Sequence, residues 1–271
     1  MSLSISVIIP TYNRNDLLIK CLDCLNPSAQ IMPAFDYEFI VTDDSKNNGA
    51  KKLLQEQYPW VRWVEGPKKG PAANRNNGVK LSKGEWLVFT DDDCLPQPGW
   101  LNAYYEAIKN SNDILVFEGC TDAERPKQRF DEEAPINLKG DNLWSCNFAI
   151  NRELFNSAGG FDETFPYAAM EDIDFHVRIK AIASISFIPQ AYIIHPWRKI
   201  EPFKSFKKHL KSHKHFAEKY NTLGTSAYRI SRIKIFLGGL YYNLKTLISF
   251  SMRGTLFYVE RSLLDFCLIF I

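Results

Sequence analysis

The chain lacks any uninterrupted apolar run of the ~18 or more residues that a membrane-spanning helix needs. It also lacks a charge excess. Its 33 Lys and Arg residues against 31 Asp and Glu leave a formal net charge of +2, which gives no global reason to expect nucleic acid as a partner. Cysteine is sparse, at six in 271 residues, and only Cys21 and Cys24 form a C-x-x-C. No second pair or nearby histidine completes a zinc set, and the spacing suits one helix face, so buried thiols are expected. The opening MSLSISVIIPTYNR carries neither a basic leader nor a cleavage site, which makes a reducing cytoplasm the expected setting. Internal repeats and low-complexity tracts are missing too. What remains, 45% hydrophobic and 24% charged residues, is enough for a globular protein with a substantial core.

The first half alternates two periodicities. Ser4 to Ile9 is a β-branched run stopped by Pro10, and Asn15 to Leu25 then spaces Leu17, Leu18, Cys21, Leu22 and Leu25 as a helix. Further strands are expected at Glu38–Thr42, Arg62–Val64 and Glu85–Thr90, with helices at 50–57 and 72–81 between them. This β-α-β order predicts an α/β fold with a mostly parallel sheet covered by helices on both faces. Ligands of such sheets sit beyond the carboxyl ends of the strands. Asp43-Asp44-Ser45 and Asp91-Asp92-Asp93 both fall there. Later elements are a helix from Trp100, a strand at Ile114–Glu118, a polar irregular loop over 121–142, a strand at Cys146–Ile150, a helix over 173–183 and a strand ending at His195.

Each cluster admits a chemical and a plain reading. Three adjacent carboxylates repel one another unless compensated, and a divalent cation with substrate phosphates would do so; a solvated acidic turn is the alternative. The carboxylates of Asp43 and Asp44 accept hydrogen bonds only, so either can select a donating base edge, or cap a turn with Ser45. The Gly/Pro-rich segment from Gly66 to Gly78 opens a helix that can face a diphosphate, with Arg75 able to contact phosphate or base. Glu171-Asp172 at a helix start supplies a candidate general base or an ordinary favourable helix-end charge. His195 is either structural or a metal ligand.

Taken together, VIIPTYNR (7–14), IVTDDS (40–45), GPAANRNNG (70–78), GEWLVFTDDDCLPQPGWL (84–101), GGFDETF (159–165) and MEDIDFHVR (170–178) resemble the family 2 glycosyltransferases. The resemblance implies the GT-A fold, a Rossmann-like mostly parallel sheet flanked by helices, with a helical C-terminal extension. It implies a catalytic domain over 1–200, its nucleotide-binding half about 1–100 and its acceptor-binding half about 101–200, followed by a helical region over 201–271. By that likeness Pro10, Thr11, Tyr12 and Arg14 lie at the nucleotide, Asp44 reads the base, and Arg75, Asp91 and Asp92 sit near the nucleotide or its ribose. Asn147, like Gly119, falls where donor-sugar contacts are common. Asp93 and His195 would ligate Mn2+ or Mg2+, and Asp172, beside Glu171, would be the catalytic base. The implied activity is inverting hexosyl transfer from a nucleotide-sugar donor, a UDP-sugar favoured, to a hydroxyl of a carbohydrate or lipid-linked acceptor in polysaccharide, lipopolysaccharide or glycolipid assembly. The usual DDGS or DDNS reads Asp43-Asp44-Ser45-Lys46 here, and the Q-x-x-R-W of processive synthases is missing, which favours single addition.

Beyond Lys199 these motifs stop. Residues 203–220 spell a basic amphipathic helix, and Ile235 to Val259 is apolar apart from Lys245 and Arg253. This tail suits peripheral contact with the inner face of a membrane, a cap on the catalytic domain, or a homodimer interface. Two rival functions stand beside glycosyl transfer. A sugar-1-phosphate nucleotidyltransferase would carry a Gly-rich loop and a lysine after the first strand, where Pro10-Thr11-Tyr12-Asn13-Arg14 stands. A non-catalytic nucleotide-sugar-binding protein would have no need of Asp93 and Asp172.

Overall fold

The computed structural model describes residues 3–30, 36–167 and 169–271. In chain order the elements begin β1 (Ser4–Thr11), α1 (Asn15–Leu25), β2 (Asp36–Asp43), α2 (Gly49–Gln57), β3 (Val61–Glu65), α3 (Pro71–Leu81) and β4 (Trp86–Thr90). There follow β5 (Leu95–Pro96), α4 (Trp100–Lys109), β6 (Val116–Ala123), β7 (Glu132–Glu133), β8 (Asn147–Asn151), α5 (Arg152–Ser157), α6 (Glu171–Lys180) and β9 (Ile185–His195). The chain closes with β10 (Arg198–Lys199), α7 (Phe206–Lys219), α8 (Ser226–Ser249), α9 (Thr255–Cys267) and a 3-10 turn at Leu268–Phe270.

Two compact units divide these elements. The first takes 1–124, 135–163 and 171–196; the second takes 125–134, 164–170 and 197–271. The longest segment of the second unit begins at Trp197, and two short inner segments belong to the same unit. Neither segment carries a periodicity that sequence reading could have assigned.

The first unit holds an eight-stranded sheet in the order β3-β2-β1-β4-β8-β6-β9-β5. Strands β1 to β4 pair parallel, as expected. The other half is mixed, because β8 runs antiparallel to both β4 and β6, and β5 antiparallel to β9. Successive side chains of a strand point to opposite faces. Val7, Ile9, Phe39, Val41, Trp86 and Val88 accordingly join one core layer with Leu18, Leu22, Trp100 and Tyr104. Ile8, Ile40, Leu87 and Phe89 join the other, with Phe148, Phe155, Phe161 and Phe175. A sheet buried on both faces explains why these strands read as continuous apolar runs.

The segment expected to be an irregular loop over 121–142 is more ordered than its composition suggests. β6 extends to Ala123, and Thr121 bridges to Asn137. The buried carboxylate of Glu118 accepts from Asn137 Nδ2 and from the backbone N–H groups of Asp141 and Asn142. One carboxylate thereby fixes a turn that has few apolar residues to anchor it.

In the second unit β7 pairs antiparallel with β10, and α7, α8 and α9 follow. The apolar stretch from Ile235 to Val259 breaks at Gly254, whose φ of +98° ends the reversal after Ser251 and Met252, also at positive φ. A Cβ at Gly254 would lie 2.7 Å from the Asp131 backbone nitrogen, so glycine is required there on two counts. Among the described residues no helix is long and apolar enough to cross a membrane.

Candidate active site

Both acidic runs stand at carboxyl ends of parallel strands, but their members do different work. Asp43 caps α2. Its Oδ1 accepts from Ser45 N–H and the Ser45 hydroxyl, and its Oδ2 accepts from Ala50 N–H. Asp44 points the other way and holds the loop before α3, accepting from Lys68 N–H at 2.6 Å and Gly70 N–H at 2.9 Å. A Cβ on Gly66 would sit 2.5 Å from Asp44 Oδ1, so that loop needs its glycine. Each Asp44 oxygen keeps a second lone pair, the capacity a base-reading carboxylate requires.

The Asp91-Asp92-Asp93 turn follows β4. Asp92 is fully buried, accepts from the Thr11 hydroxyl at 2.7 Å, and pairs through Oδ1 with Arg14 at 2.6 Å. Burial pushes its pKa up to about 7, although Arg14 and Thr11 oppose the shift. Arg14 reaches on to Asp93 Oδ2 at 3.1 Å, so this half-exposed guanidinium spans two carboxylates. Pro10 is buried at the end of β1, whereas Tyr12 beside it is exposed, leaving its ring free to meet a planar ligand. Asp91 pairs with Arg75 Nη2 at 2.6 Å.

Arg75 is the centre of the arrangement. It is buried on α3 and its guanidinium lies over the Phe161 ring at 5.6 Å. Burial alone would lower its pKa, but Asp91, Asp172 and Glu171 together hold it above the ordinary value. The sequence-distant Glu171-Asp172 pair therefore shares one charge cluster with the turn after β4. Asp172 Oδ2 accepts from the Ser145 hydroxyl at 3.0 Å. Its Oδ1 is buried and has no hydrogen-bond donor among the described residues. Burial raises the Asp172 pKa, Arg75 opposes the rise, and the nearby Asp91 charge adds to it.

Asp93 and His195 form the second focus. Asp93 Oδ1 and His195 Nε2 are 3.4 Å apart, with both side chains buried. His195 Nδ1 lies 2.7 Å from the Pro196 carbonyl oxygen, which can only accept, so Nδ1 carries the hydrogen. In the neutral ring the Nε2 lone pair then faces a carboxylate oxygen, and a proton or a cation between them makes that geometry favourable. Cys94 completes a group of possible ligand atoms within 4.8 Å of one another. Its thiol is held well above the ordinary pKa, by burial first and by its contact with Cys146 next, so it enters as a neutral thiol. An oxygen and an imidazole nitrogen converging in this way fit a divalent cation of the manganese type.

Asn147, expected where donor-sugar contacts are common, has its amide engaged within the protein. Its Oδ1 accepts from Trp100 Nε1 and the Tyr104 hydroxyl, each at 2.8 Å, and its Nδ2 donates to the Cys120 and Ala191 carbonyls. That uses the whole hydrogen-bonding capacity of the amide to tie β8 to α4, β6 and β9. Gly119 serves the same crossing, since a Cβ there would meet Ala191 O at 2.4 Å. Sequence reading missed Ser145 as a neighbour of Asp172, since it carries no spacing signal, and named Phe161 only within GGFDETF without placing it beside Arg75. Of the C-x-x-C, Cys21 is buried as expected and Cys24 half-buried, and all six cysteines are free thiols.

The profile of the family described as "Glycosyl transferase family 2" matches residues 6–164, and a second, "Glycosyltransferase like family 2", matches 142–234. The chain is 35% identical over 141 residues to a poly(ribitol-phosphate) beta-glucosyltransferase of Bacillus spizizenii, covering 49% of this chain and 22% of that protein. It is 33% identical over 172 residues to the glycosyltransferase AglE of Haloferax volcanii, covering 60% of this chain and 55% of that one. A GalNAc(5)-diNAcBac-PP-undecaprenol beta-1,3-glucosyltransferase of Campylobacter jejuni is 36% identical over 121 residues, 43% of this chain and 38% of its own length. The chain thus spans well under two thirds of these relatives. Among solved structures, S. aureus TarS 1-349 with UDP-GlcNAc superimposes with a TM-score of 0.60 at 21% identity, over 80% of this chain and 66% of that one. GalNAc-T7 with UDP, GalNAc and Mn2+ gives 0.60 at 18% identity, over 80% and 48%.

If Asn147 holds the fold rather than the sugar, Asn147→Ala leaves Trp100, Tyr104 and two carbonyls unpaired. Each such buried group costs about 1–3 kcal/mol. The expected result is a large fall in the urea-unfolding midpoint, of equal size with and without UDP-sugar; a variant of unchanged stability that binds donor poorly would return Asn147 to the donor site.

Proposed function

Because the chain belongs to glycosyl transferase family 2 and has the GT-A fold, we propose that it moves a sugar from a UDP-sugar to a hydroxyl of a carbohydrate or lipid-linked acceptor, inverting the anomeric carbon. The single observation that carries this reading is the environment of Asp172. Its carboxylate shares one charge cluster with Arg75 and Asp91, it has a bare buried oxygen, and its proton affinity is raised. A general base works best when its pKa is lifted toward the operating pH. The UDP-GlcNAc complex of TarS supports the donor class, and the undecaprenol-linked substrate in the Campylobacter relative's name supports a lipid-linked acceptor.

In the proposed reaction Asp172 Oδ1 takes the proton of the acceptor hydroxyl as that oxygen bonds to the anomeric carbon. The bond from that carbon to the diphosphate oxygen breaks, and the nucleoside diphosphate departs with the electron pair. Ser145 holds Oδ2 and so fixes the direction of Oδ1. Arg75, already paired with Asp91, keeps the base ionised against the repulsion of its neighbours. Asp44 would accept from the base, Tyr12 would cover it, and Asp91 would face the ribose. Asp93 and His195 would hold the divalent cation, which when bound supplies Lewis-acid neutralisation of charge on the departing diphosphate. The nucleotidyltransferase alternative loses its ground to the family membership.

Three outcomes test the proposal. Asp172→Asn should lower transfer by about 10²–10⁴-fold while leaving UDP affinity by calorimetry unchanged; a variant with normal turnover removes Asp172 from the role. The reactive form is the ionised one, so transfer should fall as pH drops through the Asp172 pKa, with an acid limb above the ~3.9 of an ordinary aspartate. A pH-independent rate down to that value contradicts the assignment. With UDP present, His195→Ala should weaken Mn2+ binding, read from the free-ion resonance signal, by at least the roughly 10–100-fold that even an outer-shell partner is worth; unchanged affinity would take His195 out of the metal site.

A further inference from the structure

Two apolar stripes of the second unit stay exposed among the described residues. On α8, Ile230, Ile233, Leu237, Tyr241, Leu244 and Ile248 recur every three or four residues and are 41% to 66% exposed. On α9 and the turn after it, Leu256, Val259, Leu263, Phe266 and Phe270 do the same at 43% to 68%. Such spacing keeps a helix stripe on one side.

The two stripes share a side of the hairpin. The helices run antiparallel, as Arg232 reaches Asp265, Phe236 packs on Phe266, and Tyr258 Oη meets the Leu240 carbonyl. At about 100° per residue, each stripe lies about a third of a turn from the side that meets the other helix. Both offsets follow the same sense along the chain, so reversing one helix brings the two stripes to a common face.

Charge decides what that face fits. From residue 197 to the end there are 14 Lys and Arg against 4 Asp and Glu, whereas the whole chain carries only +2. α8 contains Arg229, Arg232, Lys234 and Lys245 and no acidic residue. The two acids of the hairpin are turned inward. Glu260 is 2% exposed and accepts from Phe203 N–H, and Asp265 faces Arg232. The charged groups exposed on α8 and α9 are therefore cationic, standing beside the apolar rows and a few hydroxyls such as Ser231 and Ser249. A second copy would bring like charges together across such a face. An interfacial helix pair with apolar rows and basic flanks matches an anionic bilayer surface, where side chains enter the acyl boundary and the lysines meet headgroups. No helix among the described residues is long and apolar enough to span the bilayer, so the mode of contact is lying on it.

We propose that the α8–α9 hairpin is a docking surface for an anionic phospholipid bilayer, lying in its interface with the Ile230–Ile248 and Leu256–Phe270 stripes inserted. The inference does not depend on the transfer reaction, since it is read from binding alone.

The test is sedimentation of the full chain with sucrose-loaded vesicles of phosphatidylcholine, with and without phosphatidylglycerol. Binding should require the anionic lipid and weaken as salt rises. The double variant Leu237→Glu, Leu263→Glu alters two exposed positions and should retain its circular dichroism and its UDP affinity. Its partitioning should drop roughly tenfold or more, the scale of losing two inserted leucines. Lys234→Glu with Lys245→Glu should remove the preference for anionic lipid. Absence of binding to anionic vesicles at low salt overturns the proposal, as does undiminished binding by the leucine variant. A dimer in light scattering that the leucine variant dissociates would assign the face to a second copy and overturn it equally.

Discussion

A buried guanidinium holds the candidate active site together. Asp91 follows β4 and Asp172 opens α6, eighty residues later, and like charges brought that close repel strongly in a medium poorer than water. Arg75 sits between them on a third segment, 2.6 Å from Asp91 and within the field of Asp172 and Glu171. Its own place depends on α3 starting where it does. Gly70 at a φ of +98° admits Pro71 at the first helical turn, and Asn74 ties the helix to Thr42 of β2 and to the Thr11 carbonyl of β1. Arg14 does the equivalent for Asp92 and Asp93 at the rim. Five carboxylates around two guanidiniums and a histidine leave Asp172 Oδ1 bare on one side and Asp93 facing His195 on the other.

The same side chain does different work in different surroundings. Asp43 is engaged by backbone and hydroxyl donors and serves as a helix cap, while its neighbour Asp44 anchors a loop and retains accepting capacity. Asp92 is buried against Thr11 and Arg14 and ties the turn after β4 to β1, while Asp91 pairs with Arg75 and Asp93 faces His195. Asp172 is raised by burial, yet it has a guanidinium close enough to ionise it. Environment separates a structural acid from a basic one.

Periodicity made the parallel half of the sheet legible, because strands buried on both faces read as unbroken apolar runs and helices such as α1 and α4 space their leucines and aromatics regularly. The antiparallel placement of β8 was not legible, since a strand's direction depends on its partners rather than on its own residues. Asp91, Asp93 and Asp172 stand in the quoted motifs and His195 at the end of an apolar strand, but spacing does not tell which amides and hydroxyls are already engaged. Asn147 stood in a suggestive position and is committed to Trp100, Tyr104 and two carbonyls. Ser145 touches the site without any signature, because a single serine carries none, and Phe161 is visible only as a member of GGFDETF, not as the ring beside Arg75. The 121–142 segment looked irregular because much of its order comes from partners distant in sequence, Glu118 and β10 among them, rather than from its own periodicity.

In the proposed reaction Asp172 acts as a base in a single displacement, not as a neighbour to a covalent intermediate. Proton NMR of the first product formed from a UDP-sugar reads this directly through the anomeric coupling constant. Opposite anomeric configuration in donor and product is the predicted result, and retention of the donor's configuration would contradict it.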